Sequence, residues 1–534
     1  MAYDQESQLE LGKYSSLIDL IERTSQRFGD KTAYACLGKT SSFNDIERDS
    51  RYFAAYLQNN TNLKPGDRIA IQLPNITQFV IAAYGALRAG LILVNTNPLY
   101  TERELIHQFN DSGAKALVVL SDLLPTLAKV VATTPIELVI STHPLDLIDP
   151  QVQPKTGLKN VEFCQVLKQG AEQPFNRVAP AAGDLAALQY TGGTTGLSKG
   201  AMLTHGNMLA NAAQVKSRIG SVISEGEDIF VAPLPIYHIY AFMVNLVLYF
   251  ECGGCSVLIP NPRDISGLIK TLAKYPFTGF AGLNTLFVAL CHQPEFKALD
   301  FSHLKITISG GTALTAAAAN IWQQTTGNTI SEGYGLSETS PVISLNAPGY
   351  QKIGTIGKPV LGTEVKLLDE NGNEVAQGEA GELAARGPQV MLGYWNNPQE
   401  TANVMIADGF FKTGDIAILN EEGFHQIVDR KKDMIIVSGF NVYPNEVENV
   451  LASHPNIIEC AVVGVRDEHS GEAVKAFVVL KDDSQDHEQM KTAILNFCRE
   501  QLTAYKLPKL IEFMPQLPKS TVGKILRREL KHQA

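Results

Sequence analysis

The sequence has little that would suit a secreted, disulfide-bonded protein. It contains only seven cysteines in 534 residues, which does not suggest a disulfide-stabilised scaffold. Cys252 and Cys255 form one CxxC pair, and no second CxxC completes a zinc site. We therefore interpret these two cysteines as buried or neutral thiols. Residues 1–16 have no apolar core, so they do not indicate a secretory signal.

The chain also lacks a long uninterrupted apolar run and an excess of basic residues. Its most apolar stretch, 238–259, is broken by Asn245, Glu251 and two glycines. A membrane-spanning helix needs about 20 mostly apolar residues, so this stretch is interpreted as protein core. The net charge of −10 argues against nucleic acid as the main partner, because no basic excess is available to neutralise phosphates. We expect a cytoplasmic protein.

Hydrophobic periodicity predicts an α/β fold in the first part of the chain. The chain is 45% hydrophobic and 19% charged, which is typical of globular proteins, and its length allows two or three domains. After the turn signal KPGD (64–67), short apolar segments such as RIAIQL and LILVN alternate with helical segments. This alternation predicts a large domain of parallel-containing sheets covered by helices.

The last part of the chain predicts a second, smaller domain. The segments DMIIVSGF, IECAVVGVRD and EAVKAFVVLKDD are typical of strands, and PNEVENVLASH and EQMKTAILNFCREQL are typical of helices. This combination predicts a compact α+β module with a core of its own; the resemblance described below implies that this module is mobile. The charged stretch DRKKD (429–433) precedes it, and composition alone would make that stretch a solvated turn. We place the boundary there, between a large domain, 1–429, and a small domain, 430–534.

The stretch YTGGTTGLSKGAMLTH (190–205) predicts a phosphate-binding loop after a buried strand. Glycines let backbone N–H groups approach an anion, while threonine hydroxyls and Lys199 add hydrogen bonds and a positive charge. The Walker A spacing fails, because Ser198 precedes the lysine and Gly200 follows it, and no GxGxxG is present. A loop of another class suggests that a different bond of ATP is cut. The alternative is a flexible surface loop.

Four further motifs accompany this loop: GYGLSETSP (333–341), FKTGD (411–415), DRKKDMIIVSGFNVYPNEVE (429–448) and PKSTVGKILRREL (518–530). Together the five motifs resemble the signatures of the adenylate-forming superfamily, in its order and over nearly the whole chain. Non-catalytic segments such as NPLYTERELIHQFNDSGAKA are most similar to bacterial long-chain fatty-acid–CoA ligases. The resemblance implies ATP, Mg²⁺ and coenzyme A as partners of a fatty acid. It also implies acyl-AMP and pyrophosphate as first products, followed by transfer of the acyl group to coenzyme A.

The resemblance also assigns roles to individual residues. The predicted catalytic residues are Lys524, Glu338, His238 and Lys199. The predicted ATP and AMP contacts are Thr191, Gly192, Gly193, Thr194, Thr195, Gly196, Lys199, Gly310, Gly311, Thr312, Gly333, Tyr334, Ser337, Asp415, Arg430 and Lys524. Mg²⁺ would be held by Thr194 and Glu338. The acyl group would lie near Tyr237, His238, Gly282, Leu283 and Asn284. The hinge between the domains would be Lys432, and the coenzyme A side would include Ser438 and Gly439.

Four positions depart from the usual family pattern. Gly193 and Ser337 replace a serine and a threonine, Lys412 stands where fatty-acid ligases usually have histidine, and Ile436 stands where some relatives have a lysine.

The resemblance leaves several alternatives open: an acyl-AMP ligase that feeds a carrier protein, a peptide-synthetase adenylation domain, or a non-catalytic acyl-binding or membrane-docking protein. Peripheral contact with the inner membrane face and a homodimer are also open, and chain-length preference is not predicted.

Overall fold

The computed structural model describes residues 9–149, 158–191, 198–467, 469–482, 486–520 and 524–533. One seven-stranded sheet is formed by the first part of the chain. Its spatial order is β7 (Val161–Glu162), β6 (Leu138–Thr142), β5 (Ala114–Leu120), β3 (Arg68–Gln72), β4 (Ile92–Asn95), β8 (Leu185–Thr191) and β9 (Lys199–Thr204). All neighbours are parallel except β8 and β9, which are antiparallel. The parallel strands are almost wholly buried, as expected where helices cover both faces.

A nine-stranded sheet packs beside it. Its order is β16 (Lys358–Pro359), β15 (Val342–Leu345), β14 (Ile330–Gly335), β13 (Ile306–Ser309), β12 (Gly279–Gly282), β10 (Ile229–Ala232), β11 (Cys255–Leu258), β1 (Thr32–Cys36) and β2 (Lys39–Ser42). The strands from β14 to β1 are parallel, and the two ends are antiparallel. Carboxyl ends of neighbouring parallel strands therefore meet at one edge, where ligands bind in open α/β sheets.

Helices fill the space around and between these two sheets. They are α1 (Leu17–Phe28), α2 (Phe43–Asn60), α3 (Thr77–Arg88), α4 (Glu102–Ser112), α5 (Leu124–Ala132), α6 (Phe163–Ala171), α7 (His205–Ile219), α8 (Ile239–Phe242), α9 (Tyr249–Glu251), α10 (Ile265–Leu272), α11 (Asn284–Cys291), α12 (Pro294–Lys297), α13 (Ala316–Thr326) and α14 (Pro398–Val404). A π-helical turn, Met243–Leu248, joins α8 to α9. The most apolar stretch of the sequence is thus core, and no helix in the described part of the chain is long and apolar enough to cross a membrane.

Two smaller sheets complete the chain; the first is antiparallel, and the second is antiparallel except for the parallel pair of β24 and β25. One contains β17 (Glu364–Leu368), β18 (Ala380–Arg386), β19 (Phe411–Leu419) and β20 (His425–Arg430). The other contains β21 (Ile435–Val437), β22 (Phe440–Val442), β23 (Ile457–Asp467), β24 (Gly471–Leu480) and β25 (Leu510–Phe513). This second sheet packs with α15 (Pro444–Ala452), α16 (His487–Arg499) and α17 (Arg527–Gln533) around a hydrophobic core of its own.

The predicted fold class is confirmed, with two differences in detail. The segment DMIIVSGF was expected to be one strand, but the chain reverses within it. Ser438 and Gly439 have φ of 52° and 84°, a left-handed turn that favours glycine. Strand β9 was also not predicted. Its pairing with β8 depends on residues on both sides of the glycine-rich loop, whose local sequence suggests no strand.

Candidate active site

A cavity of about 2040 Å³ extends from helix α7 to the small domain. It collects residues from motifs that lie up to several hundred positions apart in the sequence. Of the predicted site residues, those that line it are Thr191, Lys199, Tyr237, His238, Asn284, Gly310, Gly311, Thr312, Gly333, Tyr334, Ser337, Glu338, Asp415, Arg430, Lys432 and Lys524. The sheets bring these residues together because most of them follow neighbouring strands.

The remaining predicted residues lie elsewhere. Gly282 and Leu283 are not among the described residues that line the cavity; a Cβ at Gly282 would meet the ring of Phe287 at 2.6 Å. Ser438 and Gly439 lie in the exposed turn between β21 and β22, also away from the cavity. The predictions for Gly192, Gly193, Thr194, Thr195 and Gly196 fall outside the described residues.

One wall of the cavity contains a buried acid between a tyrosine and an arginine. The antiparallel register of β19 and β20 places Asp415 opposite Arg430. The Tyr334 hydroxyl donates a 2.6 Å hydrogen bond to Asp415 Oδ2, and Arg430 Nε lies 3.6 Å from Asp415 Oδ1. A carboxylate held in this way is an acceptor for hydroxyl groups of a ligand, and the guanidinium beside it is a donor.

A second acid lies near the glycine-rich loop. Glu338 is 7% exposed and lies in a short 3₁₀ turn, Ser337–Thr339. The Tyr394 hydroxyl donates to Glu338 Oε1 at 2.7 Å, and the Met391 N–H donates to the Glu338 carbonyl at 2.8 Å. Burial raises the pKa of Glu338, whereas the bond from Tyr394 acts in the opposite direction. A cation close to this carboxylate would stabilise its charged form.

The described residues contain no group of three or more His, Cys, Asp or Glu arranged to hold a metal ion. A single buried carboxylate still suits Mg²⁺, because this ion is usually bound by one or two carboxylates together with phosphate and water oxygens. Glu338 fits that role, since burial penalises its charge and a divalent cation would offset the penalty. The metal would then depend on a phosphorylated ligand for most of its coordination.

Lys199 enters the same region at the start of β9. Its ammonium group forms an ion pair with Glu400, in the first turn of α14, and lies 5.3 Å from the centre of the Tyr394 ring. Both side chains of the ion pair are about one-third exposed, so the pair adds little stability and can be exchanged for another anion. A lysine placed in this way is suited to bind a phosphate.

Lys524 reaches the cavity from the small domain. Its backbone is held by a 2.7 Å bond from Ser520 N to its carbonyl and a 3.1 Å bond from its N–H to Ser520 Oγ. Burial, and next the charge of Arg430, lower the pKa of Lys524 to about 7. An anion bound here would raise this pKa again, so the lysine is arranged to gain a positive charge when an anionic ligand arrives.

His238 faces this lysine from the large domain. The segment before it is fixed by Asn75, whose side chain accepts a bond from Ile236 N and donates to two backbone carbonyls. His238 Nδ1 accepts a 3.3 Å bond from Tyr240 N, which places the proton of the neutral ring on Nε2. Burial, and next the charge of Lys524, lower the pKa of His238 to about 4. A neutral ring held in this way has a hydrogen-bond donor available at Nε2.

Beyond His238 the cavity continues as an apolar limb between α7 and β15. Helix α7 is held along this strand by bonds from Asn211 Nδ2 to the Val342 carbonyl, at 2.8 Å, and from Arg218 Nη1 to the Leu345 carbonyl, at 3.1 Å. The third wall is the π-helical turn. The apolar residues that line the limb are Ala212, Val215, Tyr240, Met243, Val244, Leu248, Val342 and Leu345. Such a limb suits a hydrocarbon group.

The sequence motifs did not identify every notable side chain of the site. Glu332 is fully buried against the cavity; its Oε1 accepts from Leu314 N at 3.1 Å, and its Oε2 has no hydrogen-bond partner within the described ranges. Burial raises the pKa of Glu332 to about 8. An acid within the otherwise uncharged strand ISEGYG was the available signal. None of the five motifs contains Tyr394 or Glu400, so the motifs did not identify these two residues.

Two known proteins are similar in sequence to this chain over nearly its whole length. The chain is 49% identical to a long-chain-fatty-acid–CoA ligase of Escherichia coli O157:H7, over 99% of this chain and 97% of that protein. It is 40% identical to a long-chain-fatty-acid–CoA ligase of Bacillus subtilis, over 96% and 94% of the two chains.

Solved structures with the same fold include the anthranilate–CoA ligase AuaEII in complex with anthranoyl-AMP. It superposes with a TM-score of 0.90 at 27% identity and covers 98% of both chains. ATP-bound MatB from Rhodopseudomonas palustris superposes with a TM-score of 0.85 at 28% identity, over 97% of this chain and 98% of the other. The AMP-binding enzyme family matches residues 21–395, and its C-terminal domain matches residues 446–524. The family predicted from the five motifs is thus confirmed, and the chain belongs to the AMP-binding enzymes.

Proposed function

We propose that this protein is a long-chain fatty-acid–CoA ligase. The carboxylate of a fatty acid attacks the α-phosphate of ATP, which gives acyl-AMP and releases pyrophosphate. The thiol of coenzyme A then attacks the acyl carbon, and AMP leaves. The observation that carries this proposal is the position of Lys524, half-buried in one cavity with His238, Asp415 and Arg430. The names of the relatives at 40–49% identity support the same activity.

The first step brings a carboxylate anion toward a polyanion, so its barrier depends strongly on nearby positive charge. Lys524 supplies that charge at the α-phosphate and the substrate carboxylate, because binding of these anions favours its protonated form. His238 donates from Nε2 to a carboxylate oxygen and orients the nucleophile. Asp415 accepts hydrogen bonds from the ribose hydroxyls, and Arg430 donates to the same sugar.

The leaving pyrophosphate is held at the other end of the nucleotide. Lys199 and the loop from Thr191 would bind the β- and γ-phosphates, with Glu400 giving up its ion pair to them. Glu338 would hold Mg²⁺, together with Thr194, which lies outside the described residues; the ion neutralises charge on the phosphates. The adenine would lie between the backbone at Gly310, Gly311 and Thr312 and the strand that contains Gly333 and Tyr334, with Ser337 at its end.

The second step needs a different arrangement of the two domains. We place the boundary between residues 1–429 and 430–534, with Lys432 as the hinge, because the chain passes from one sheet to another between Arg430 and Ile435. Rotation about this hinge would withdraw Lys524 and bring the turn at Ser438 and Gly439 toward the acyl-AMP. The exposure of that turn in the present arrangement supports this proposal.

The apolar limb supports a fatty acid rather than a small or amino-substituted acid. Its α7, β15 and π-turn walls contribute apolar side chains, and the polar side chains of Tyr237 and Asn284 line the same cavity as His238, where the carboxylate would lie. We also propose peripheral contact with the inner membrane face, because fatty acids are delivered from membranes, and vesicle co-sedimentation tests this contact. A homodimer is a separate part of the proposal, and light scattering tests it.

ATP–pyrophosphate exchange with palmitate, acetate and amino acids tests the activity. Exchange with palmitate, followed by consumption of coenzyme A thiol, supports the proposal. Exchange without thioester formation, but with transfer to a carrier protein, would favour an acyl-AMP ligase. Exchange with an amino acid alone would favour a peptide-synthetase domain. No exchange with any carboxylate would favour an acyl-binding protein and would refute the proposed ligase.

A further inference from the structure

A buried ionic cluster connects the small domain to the last strand of the preceding sheet. Asp429, in β20, is fully buried. Its Oδ1 accepts a 2.7 Å bond from Arg430 N, and its Oδ2 accepts a 2.7 Å bond from Asn445 N. Asn445 lies in the first turn of α15, where backbone N–H groups lack helical partners. Asp429 therefore caps a helix that belongs to the other side of the proposed hinge.

Arg527 completes the cluster from the segment that contains the catalytic lysine. Its guanidinium donates to both carboxylate oxygens of Glu448, at 3.1 and 2.6 Å, and to Asn445 Oδ1 at 2.6 Å. The same group lies 3.4 Å from Asp429 Oδ1 and 3.7 Å from Asp433 Oδ2. Bidentate arginine–carboxylate pairs fix geometry as well as charge, so Arg527 has little freedom here.

These contacts fall into two sets with different fates. The bonds from Arg527 to Glu448 and Asn445 lie within the small domain, so a rotation of that domain leaves them intact. The bonds that Asp429 accepts from Arg527 and from Asn445 N join residues on opposite sides of Lys432, so a rotation about Lys432 would separate these partners. Only three positions separate Arg527 from Lys524, so the contact to Asp429 also restrains Lys524 relative to the large domain.

We propose that Arg527 and Asp429 are positioning residues of the adenylation step: they hold Lys524 in the cavity, and their separation accompanies the change to thioester formation. This inference rests on the proposed two-step function. The contact joins an arginine to a buried carboxylate that accepts at both oxygens, so it favours the arrangement in which Lys524 lines the cavity. Neither residue needs to touch a substrate to act in this way.

The test compares substitutions at two carboxylates that contact Arg527, each of which removes one negative charge. Asp429→Asn removes the partner across the hinge, and its amide can accept at one oxygen only. Glu448→Gln is the matched control, because it removes a carboxylate of the same arginine within the small domain. Both full-length variants are assayed for ATP–pyrophosphate exchange with palmitate and, separately, for conversion of supplied palmitoyl-AMP and coenzyme A to palmitoyl-CoA.

Loss of one charged hydrogen bond corresponds to about a tenfold effect, so Asp429→Asn should lower exchange about tenfold and leave conversion of palmitoyl-AMP within about twofold. Glu448→Gln should change the two half-reactions by similar factors. Arg527→Lys, which retains one charge but not the bidentate geometry, should recover part of the exchange lost in Arg527→Met. Equal losses in both half-reactions for Asp429→Asn, or an unchanged exchange rate, would overturn the proposal.

Hydrogen exchange in the substrate-free protein provides a readout that needs no activity. The amide of Asn445 should exchange faster in Asp429→Asn than in the parent protein. In Glu448→Gln the exchange rate of this amide should increase less than in Asp429→Asn. Equal exchange in the parent protein and Asp429→Asn would refute the positioning role. A parent protein inactive in both half-reactions would instead refute the ligase activity, so the two failures are distinguishable.

Discussion

Replacement of Tyr394 by phenylalanine tests the role of Glu338 directly. The hydroxyl donates a 2.7 Å bond to Glu338 Oε1, and the carboxyl group is 7% exposed. A hydrogen bond to a charged group contributes about 1.5–3 kcal/mol, which corresponds to a factor of about ten or more in the stability of the ionised carboxylate. The aromatic ring that faces Lys199 is retained, so the substitution isolates the hydroxyl.

The direction of the effect follows from the charge that the proposed metal site needs. Burial already raises the pKa of Glu338 above that of an ordinary glutamate, and loss of the bond raises it further. In the proposed site, Mg²⁺ binds the ionised form of Glu338. The acid limb of the pH profile, meaning the fall of kcat/KM for MgATP at low pH, should therefore move to higher pH. In pyrophosphate exchange, kcat/KM for MgATP should fall about tenfold near pH 6 and much less near pH 8.

A matched control is available in the same cavity. The Tyr240 hydroxyl donates to the Ile308 carbonyl at 3.2 Å and lies in the apolar limb, away from Glu338. Tyr240→Phe should affect the fatty-acid KM without moving the acid limb. If Tyr394→Phe leaves the acid limb where it is, or if both variants move it equally, Glu338 does not act as the ionised ligand that we propose.

Three further outcomes are expected. Lys524→Ala should abolish pyrophosphate exchange but retain most conversion of supplied acyl-AMP, because we propose that the lysine acts at the α-phosphate; surviving exchange would show that its role is misassigned. Lys432→Pro should slow thioester formation more than adenylation, because proline restricts the backbone at the hinge; equal losses in the two assays would contradict this. Glu332→Gln should flatten the pH dependence of stability. With its pKa raised to about 8, Glu332 contributes stability below the pKa of the unfolded chain and loses it as pH rises to about 8, with a slope of up to about 1.4 kcal/mol per pH unit. Chemical denaturation at pH 5 and pH 8 measures this, and an unchanged slope would refute it.

Several parts of the site could be predicted because they are encoded in short, contiguous stretches. A glycine-rich loop after a strand, TGD on a strand and a lysine after glycine are local patterns that keep their meaning without the fold. Lys199, Asp415, Arg430 and Lys524 all lie in such stretches and line one cavity, whereas their roles rest on the family resemblance and the opposition of Asp415 to Arg430 depends on the pairing of β19 with β20. The residues within 192–197 keep their predicted roles as proposals.

Other features could not be predicted because they depend on contacts between distant segments. Tyr394 reaches Glu338 across 56 positions, and Arg527 reaches Asp429 across 98. Nothing in the local sequence of either partner specifies the other. The neighbours of Gly282 and Leu283 are of the same kind: a Cβ at Gly282 would meet the Phe287 ring, and a Cβ at Gly311 would lie 3.7 Å from Leu283 Cδ2, while the predicted place of both residues at the acyl channel stays a proposal.

The sequence by itself determined the family, through motifs that resemble its signatures, and the alternation of strands and helices, through residue types at short spacings; the bond of ATP that is cut is implied by the family resemblance. Tertiary structure decided what the ionisable groups do. Burial makes His238 neutral, lowers the pKa of Lys524 to about 7 and raises that of Glu332 to about 8. The π-helical turn that lines the apolar limb likewise packs against α7, which is far from it in the local sequence. Desolvation and long-range contacts are properties of the folded chain, so no short stretch of sequence contains them.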